Sequence, residues 1–594
     1  AAVGFSTRCA AVLMELFLIP EPQRCIRLTG LCTVGPETPV VLAMPEKDER
    51  LCRAAAQLFR TVRIAQGHFA LYSENSFAPN CPVRMPEGYL LSLRGDTLQL
   101  CGTDAAGLFY GLQTLCQYFQ LPAHPSLEIT DWPDLAVRSD YLDMRGLFPS
   151  FGRILEYIRE MAHFKLNTLV IEYEDKLSRK RREFCHPLDA LTREQLDQLL
   201  QTAHDHFIDV IPLQQSFGHL EYALKLPEYK HLREVPDAPG ELCPLREGSF
   251  ELAASLIEET AEMHPESRYL HLGCDEVWSL GQSPECRQSG LSRSRIAVDY
   301  INRLAQKVKS LGKTPIVWHD MLTGAQNDAG TFDAISRLDR DLVVAVWLYS
   351  PETVNTDAPP LMEALHARGI RTIPCCSVRA YDRCGMQNYP RVEQRLRNVD
   401  AWCELISKTR CDGMINTNWC STFSHGNPYG LFETSRYTAF YAADRCWNLR
   451  ADSHAFWERF MGVYHGVYDV CIVSGDERRY DYYKLIGAYL PKITRHRDIA
   501  RLIDLMYRME DAVLINCSAF RGDFFPDSSV ELDCLRERAP KQYRILSEME
   551  AELRELLPLF LPQHMADLFF ESRSYPNRLY RRELERLLGM PLQP

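Results

Sequence analysis

From Val137 onward, short β-rich runs alternate with amphipathic helical stretches eight times over, which excludes most architectures at once. The strand candidates are 138–143, 168–172, 209–214, 269–274, 315–318, 342–348, 371–376 and 413–418. Between them lie stretches at 152–164, 192–206, 250–264, 292–311 and 392–407, each long enough for a crossover helix. Parallel strands need such crossovers, and eight of them close a barrel. The pattern therefore predicts an α/β fold, a (β/α)8 TIM barrel of roughly 310 residues, somewhat above the usual length. Reactive side chains in that architecture gather where the strands end.

The flanks read differently. Residues 1–130 carry short strands near 40–43 and 89–100 and helices near 48–62 and 105–119, a small α/β domain. The turn residues Asp131-Trp132-Pro133-Asp134 mark its boundary with the barrel, assigned to 131–450. Residues 451–594 form a mostly helical C-terminal region by their period. At 46% hydrophobic and 25% charged residues, the 594-residue chain has a globular composition with a large core.

A net charge of -12 without a basic tract argues against nucleic acid or an anionic membrane as partner. The apolar opening at 10–19 is interrupted by Glu15 and followed by Pro20, too short to span a bilayer. The 21 cysteines are odd in number and contain no CxxC pair, so reduced thiols and a cytoplasmic location are expected, with an upstream signal peptide left open. Neither a Cys/His zinc spacing nor HExxH is present, and no metal or cofactor is expected.

Residues 271–277, His-Leu-Gly-Cys-Asp-Glu-Val, are an apolar strand ending in two carboxylates, Asp275 and Glu276. Cleavage of a glycosidic bond needs a proton delivered to the leaving oxygen and negative charge near the developing cation. In a regular strand adjacent side chains point to opposite faces, so this pair can serve one substrate only where the strand geometry relaxes. Taken alone, such a pair is more often a solvated loop entrance.

Four segments tip that balance, because together they resemble glycoside hydrolase family 20, the β-N-acetylhexosaminidases, and most closely its hexosaminidase D branch. They are AGLFYGLQTL at 106–115, IEYED at 171–175, IPLQQSFGHLE at 211–221 and HLGCDEV at 271–277. The resemblance implies removal of terminal β-linked N-acetylglucosamine or N-acetylgalactosamine from a glycan, with retention and with the substrate's own 2-acetamido oxygen as nucleophile. It makes Glu276 the general acid and then base, and Asp275 the group that orients the acetamide and stabilises an oxazolinium intermediate. Asp175 and His219 correspond to a carboxylate–histidine relay toward the acid. Arg138 corresponds to an arginine that binds sugar hydroxyls. Trp318, Trp347 and Trp419 correspond to indoles around the acetamido methyl and the apolar face of the sugar. Tyr381 is the first candidate for the donor to the acetamido oxygen and Tyr349 the second, with Asp320 as a supporting acid.

The chain also departs from the family pattern. Val170 and Glu172 stand where His-x-His is common, and Ser421 occupies the usual acid position for the sugar's 4- and 6-hydroxyls, for which His425 or Asn427 could substitute. Two other readings stay open: a two-carboxylate retaining β-glycosidase with Glu172 or Glu174 as nucleophile, and a non-catalytic carbohydrate-binding barrel. Oligomeric state and the choice between gluco and galacto sugars are left open.

Overall fold

A computed structural model describes residues 17–181, 190–323, 333–381, 388–409, 411–421, 430–470, 478–518, 529–589 and 591–592. Eight parallel strands close into a barrel in chain order: β8 (Val137–Asp143), β9 (Thr168–Glu172), β10 (Asp209–Leu213), β11 (Tyr269–His271), β12 (Thr314–Trp318), β13 (Val343–Trp347), β14 (Arg371–Arg379) and β15 (Gly413–Asn418). The (β/α)8 expectation is met, and each strand falls on a stretch that alternation had singled out.

The alternation has a direct physical outcome. Ile316, Trp318, Val343 and Ala345 point into the barrel and join an interior cluster with Tyr141, Val170, Ile211 and Ile415. Their neighbours Val317, Val344 and Val346 point outward into the larger core under the helices. Because both faces of a parallel barrel strand are covered, these strands are apolar throughout. The crossover helices Phe151–His163, Arg193–Asp205, Ser249–Met263, Arg293–Ser310 and Val392–Ile406 lie within a residue or so of the stretches expected. Helix starts are chemically marked: Thr192 and Gln195 form a reciprocal capping box, and Ser292 accepts from Arg295 N.

One strand is shorter than expected. β11 stops at His271, since Gly273 (φ +65°) and Cys274 (φ 71°) leave the extended region. A Cβ on Gly273 would lie 1.9 Å from Gln215 Oε1, so glycine is required both for the backbone angle and for the approach of β10's loop.

Ahead of the barrel stands a seven-stranded sheet with order β1-β7-β5-β6-β4-β2-β3: β1 (Arg24–Leu31), β2 (Val40–Met44), β3 (Val62–Gln66), β4 (Ala70–Ser73), β5 (Tyr89–Arg94), β6 (Thr97–Gly102) and β7 (Pro125–Asp131). The β2–β3 pair is parallel and the other pairs are antiparallel. The helix Ala105–Phe119 covers this sheet and is buried along most of its length.

Arg138 belongs to the junction between that sheet and the barrel base, which corrects its assignment as a sugar ligand. It sits at the entry end of β8, fully buried. Its guanidinium donates to Glu87 Oε2 (2.6 Å), Lys165 O (2.9 Å) and Leu135 O (2.8 Å) and faces the Tyr110 and Trp447 rings. The physical reason is position along the strand: a residue that begins a barrel strand is at the opposite end from the catalytic rim. Lys165 continues the same junction through Asp131 (2.9 Å).

The C-terminal region includes the helices Arg497–Ser518, Ser529–Leu556 and Gln563–Leu588. It braces the barrel at two loops that follow strand ends. Ser150 N donates to Phe560 O (2.8 Å), and Arg573 Nε donates to Asn388 Oδ1 (2.7 Å). Among the described residues, no helix is long and apolar enough to cross a membrane.

Candidate active site

Strands β8 to β15 deliver a ring of ionisable and aromatic groups to one rim of the barrel. His219, carried by the loop after β10, stands between the two carboxylates after β11: its Nε2 is 3.4 Å from Asp275 Oδ2 and 3.2 Å from Glu276 Oε2. The backbone makes this possible at some cost. His219 (φ 53°), Cys274 (φ 71°) and Glu276 (φ 54°) all occupy the left-handed region, which redirects successive side chains toward one space instead of opposite faces. Gly218 is equally constrained, because a Cβ there would be 2.0 Å from the Asp275 carbonyl oxygen.

The electrostatics separate the members of this cluster. Burial alone would depress the His219 imidazole, but the Asp275 carboxylate, by charge and hydrogen bond, and a hydrogen bond to Glu276 raise it well above the ordinary histidine range. Burial pushes Asp275 the other way from its partners, and the His219 charge and hydrogen bond together with Arg145 win, holding its carboxyl below the usual range. Asp275 is thus an ionised buried carboxylate whose Oδ1 has no hydrogen-bond partner among the described residues. Glu276 is 30% exposed, open to the rim.

Asp320, just past β12, supports the pair. Its Oδ2 accepts from Glu276 N (2.9 Å), and burial followed by the Asp275 charge raises its carboxyl to about 8. At neutral pH Asp320 therefore keeps its proton and anchors the Glu276 backbone without adding negative charge.

Asp175 is placed differently from the relay expected of it. Its described contacts are with Lys176 Nζ (2.5 Å) and Lys225 Nζ (3.7 Å), so the cationic lysines next to it engage its carboxylate. Asp275 and Glu276 flank His219 Nε2.

The indoles form a connected wall. Trp318 lies deepest, its ring 5.9 Å from Trp419 and 4.2 Å from His271. Trp347 packs against Tyr349 (5.4 Å), and the Tyr349 hydroxyl accepts from Trp419 Nε1 (2.8 Å). Tyr349, the second choice from sequence, thereby sits inside the wall and close enough for the Asp275 charge to act on it. Tyr381, the first choice, is 58% exposed beyond β14. The reason is the length of β14, which runs to Arg379 and carries Tyr381 past the rim.

Sequence reasoning missed Arg145. Its guanidinium donates to Asp143 Oδ1 (3.0 Å) and Oδ2 (3.1 Å), approaches Glu172 Oε2 (3.6 Å) and lies over Trp419 at 5.0 Å. The signal was available: Arg145 follows the end of β8 by two residues, where strand-end logic looks for function, whereas the motif match drew attention to Arg138. Glu172 is held by Gln215 Nε2 (2.9 Å), the Tyr141 hydroxyl and Arg145. Burial raises the carboxyls of both Glu172 and Glu174. Ser421 is buried past β15, while His425 and Asn427 lie outside the described residues.

Donor atoms of His219, Asp275 and Glu276 fall within 4.8 Å of one another, a grouping that could close on a metal ion. The raised basicity of His219 works against this, because a protonated imidazole has no lone pair to give.

The sequence profile described as glycosyl hydrolase family 20, catalytic domain, matches residues 137–418, and that of glycosyl hydrolase family 20, domain 2, matches 15–132. Human hexosaminidase D is 29% identical over 293 residues, covering 48% of this chain and 60% of the human protein. The bovine hexosaminidase D is 27% identical over 293 residues, covering 48% of this chain and 84% of the bovine protein. In fold, the chain resembles Flavobacterium johnsoniae chitobiase (TM-score 0.59, 15% identity, 98% of this chain and 94% of the other). It also resembles β-N-acetylhexosaminidase from Bacteroides fragilis (TM-score 0.58, 18% identity, 75% and 94%).

Proposed function

Because the chain belongs to glycosyl hydrolase family 20, we propose that it is an exo-β-N-acetylhexosaminidase acting by substrate-assisted retention. The observation that carries this reading is the ionised, buried Asp275 with an unpartnered Oδ1 beside the more open Glu276. An acceptor of that kind suits an acetamido N–H. Accepting this proton's hydrogen bond orients the acetamide so that its oxygen attacks the anomeric carbon, and the negative charge balances the oxazolinium that forms.

Glu276 protonates the leaving oxygen as the glycosidic bond breaks, then takes a proton from the water that opens the oxazolinium, returning the original anomeric configuration. His219 bridges the two acids and positions them, and Asp320 holds the Glu276 backbone. Tyr349 donates to the acetamido oxygen within a wall made by Trp318, Trp347 and Trp419, which keeps water from the cation. The substrate is a glycan ending in β-linked N-acetylglucosamine or N-acetylgalactosamine.

A covalent nucleophile is poorly supplied by the alternative candidates. Glu172 is engaged by Gln215, Tyr141 and Arg145, and burial raises the carboxyls of both Glu172 and Glu174 when a nucleophile needs the ionised form.

The test compares nitrophenyl N-acetyl-β-glucosaminide, the corresponding galactosaminide and the non-acetylated β-glucoside. Turnover of at least one acetylated substrate, loss with Glu276→Gln and strong inhibition by a thiazoline mimic are expected. Equal turnover of the glucoside would refute substrate assistance, and sugar binding without turnover would favour a non-catalytic barrel.

A further inference from the structure

Away from the rim, two thiols and a carboxylate converge in the protein interior. Cys243 and Cys286 are separated by 43 residues in the chain, yet their sulfurs are 3.9 Å apart. Cys286 Sγ is 3.5 Å from Glu234 Oε2, and Cys243 Sγ is 3.2 Å from Ser283 Oγ. Glu234, Cys243, Cys286 and Ser283 are all buried. We propose that Glu234, Cys243 and Cys286 bind a zinc ion that ties the loop bearing His219 to the loop bearing Glu276.

Ligand distances support the assignment. Tetrahedral zinc with Zn–S bonds of about 2.3 Å separates two sulfurs by about 3.8 Å, and a sulfur from a carboxylate oxygen at about 2.0 Å by about 3.5 Å. Two observed separations, 3.9 and 3.5 Å, match these values, and all three donor atoms lie within 4.8 Å of one another, so closing the remaining pair completes the site. A disulfide would require the sulfurs to close to about 2.05 Å.

The carboxylate is already oriented for a cation. Glu234 Oε1 accepts from Gly281 N (2.9 Å) and Ser283 N (2.8 Å), which turns Oε2 toward the sulfurs. Such outer hydrogen bonds orient metal ligands. Ser283 Oγ, 3.2 Å from Cys243 Sγ, already caps the following helix by accepting from Cys286 N (3.1 Å), so a water completes the fourth position. Two thiolates with a carboxylate suit a borderline-soft ion such as zinc. Binding releases one proton from each thiol, and the two negative sulfurs and Glu234 surround the dication.

The consequence lies in what the donors join. Glu234 and Cys243 follow β10 and His219, whereas Ser283 and Cys286 follow β11 and Glu276. The same two loops are already linked where Glu241 Oε2 accepts from Ser279 N (2.6 Å), and zinc would make that link rigid. No spacing rule finds such a site, because its donors converge only in three dimensions. It therefore departs from the sequence expectation of no metal.

The full chain is expressed in zinc-supplemented medium, purified under reducing conditions without chelator, and analysed by mass spectrometry for metal. About one zinc per chain is expected, and cobalt-exchanged protein should show near-ultraviolet thiolate-to-cobalt absorption. Cys243→Ser and Cys286→Ser should each abolish that absorption and lower zinc at least tenfold, whereas His219→Ala should keep both. Where a cysteine variant does not fold, Glu234→Gln and the wild-type cobalt spectrum decide. Zinc below about one tenth of an equivalent, no thiolate absorption, metal retained in both cysteine variants, or a Cys243–Cys286 disulfide in the purified chain would each overturn the proposal.

Discussion

Replacing His219 with alanine tests the centre of the proposed mechanism, because the structure gives this imidazole two carboxylate partners. At 3.4 Å from Asp275, a full ion pair attracts by about 4–5 kcal/mol at an effective dielectric near 20. Desolvation of two buried groups offsets much of that in the intact protein, but removing His219 leaves Asp275 buried with the Arg145 charge as its remaining compensation, at a cost of up to about 3–5 kcal/mol.

The pH dependence follows from the direction of each shift. The folded value of His219 is raised above 6.5, so its contribution is fully present below that pH and is lost as pH rises through the folded value. Asp275 is lowered from 3.8, so its contribution is present above that pH and lost as pH falls through its folded value. The stability gap between wild type and His219→Ala should therefore be widest between about pH 4 and 6.5 and narrow on the alkaline side. Urea unfolding at a series of pH values reads this directly. In the same variant kcat should fall by roughly 10² to 10⁴ and the acid limb of the rate profile should move, with KM changing less. Parallel stability curves from acid to alkaline pH together with superimposable rate profiles would refute the reasoning and leave His219 a packing residue.

Three further outcomes are expected. Arg145→Met should cost about 3–5 kcal/mol in chemical denaturation, because Asp143 and Glu172 lose their buried cation, and should lower kcat/KM; an unchanged midpoint would remove Arg145 from the site. Tyr349→Phe should reduce kcat by roughly 10², because the acetamido oxygen loses the hydroxyl that aims it at the anomeric carbon, whereas Tyr381→Phe should leave it nearly unchanged; the reverse result in steady-state kinetics would return the role to Tyr381. Gly218→Ala should lower the unfolding midpoint by an amount equivalent to about 1–3 kcal/mol and reduce turnover, since its Cβ would collide with the Asp275 carbonyl; wild-type activity would show that the two loops are not in close register.

Much of the architecture is written locally in the chain. The eight β-rich runs and their alternation with amphipathic stretches are short-range signals, which is why strand and helix positions were legible. Asp275 and Glu276 were legible for the same reason, since adjacent acids after an apolar strand need no partner to be noticed. Other assignments depended on distance in space. Arg138 matched a motif, but its height in the barrel decides its partners, and β8 leaves it at the base against Glu87. Tyr381 and Tyr349 were equivalent as residue types until the lengths of β14 and β13 carried one past the rim and left the other against Trp419. Arg145 acquires its role only when β8, β9 and β15 bring Asp143, Glu172 and Trp419 around one guanidinium. Local sequence therefore determined the elements and the candidate acid pair, whereas tertiary packing decided their charge states and neighbours, because Coulomb and desolvation energies depend on separations and burial that exist only once the barrel has closed.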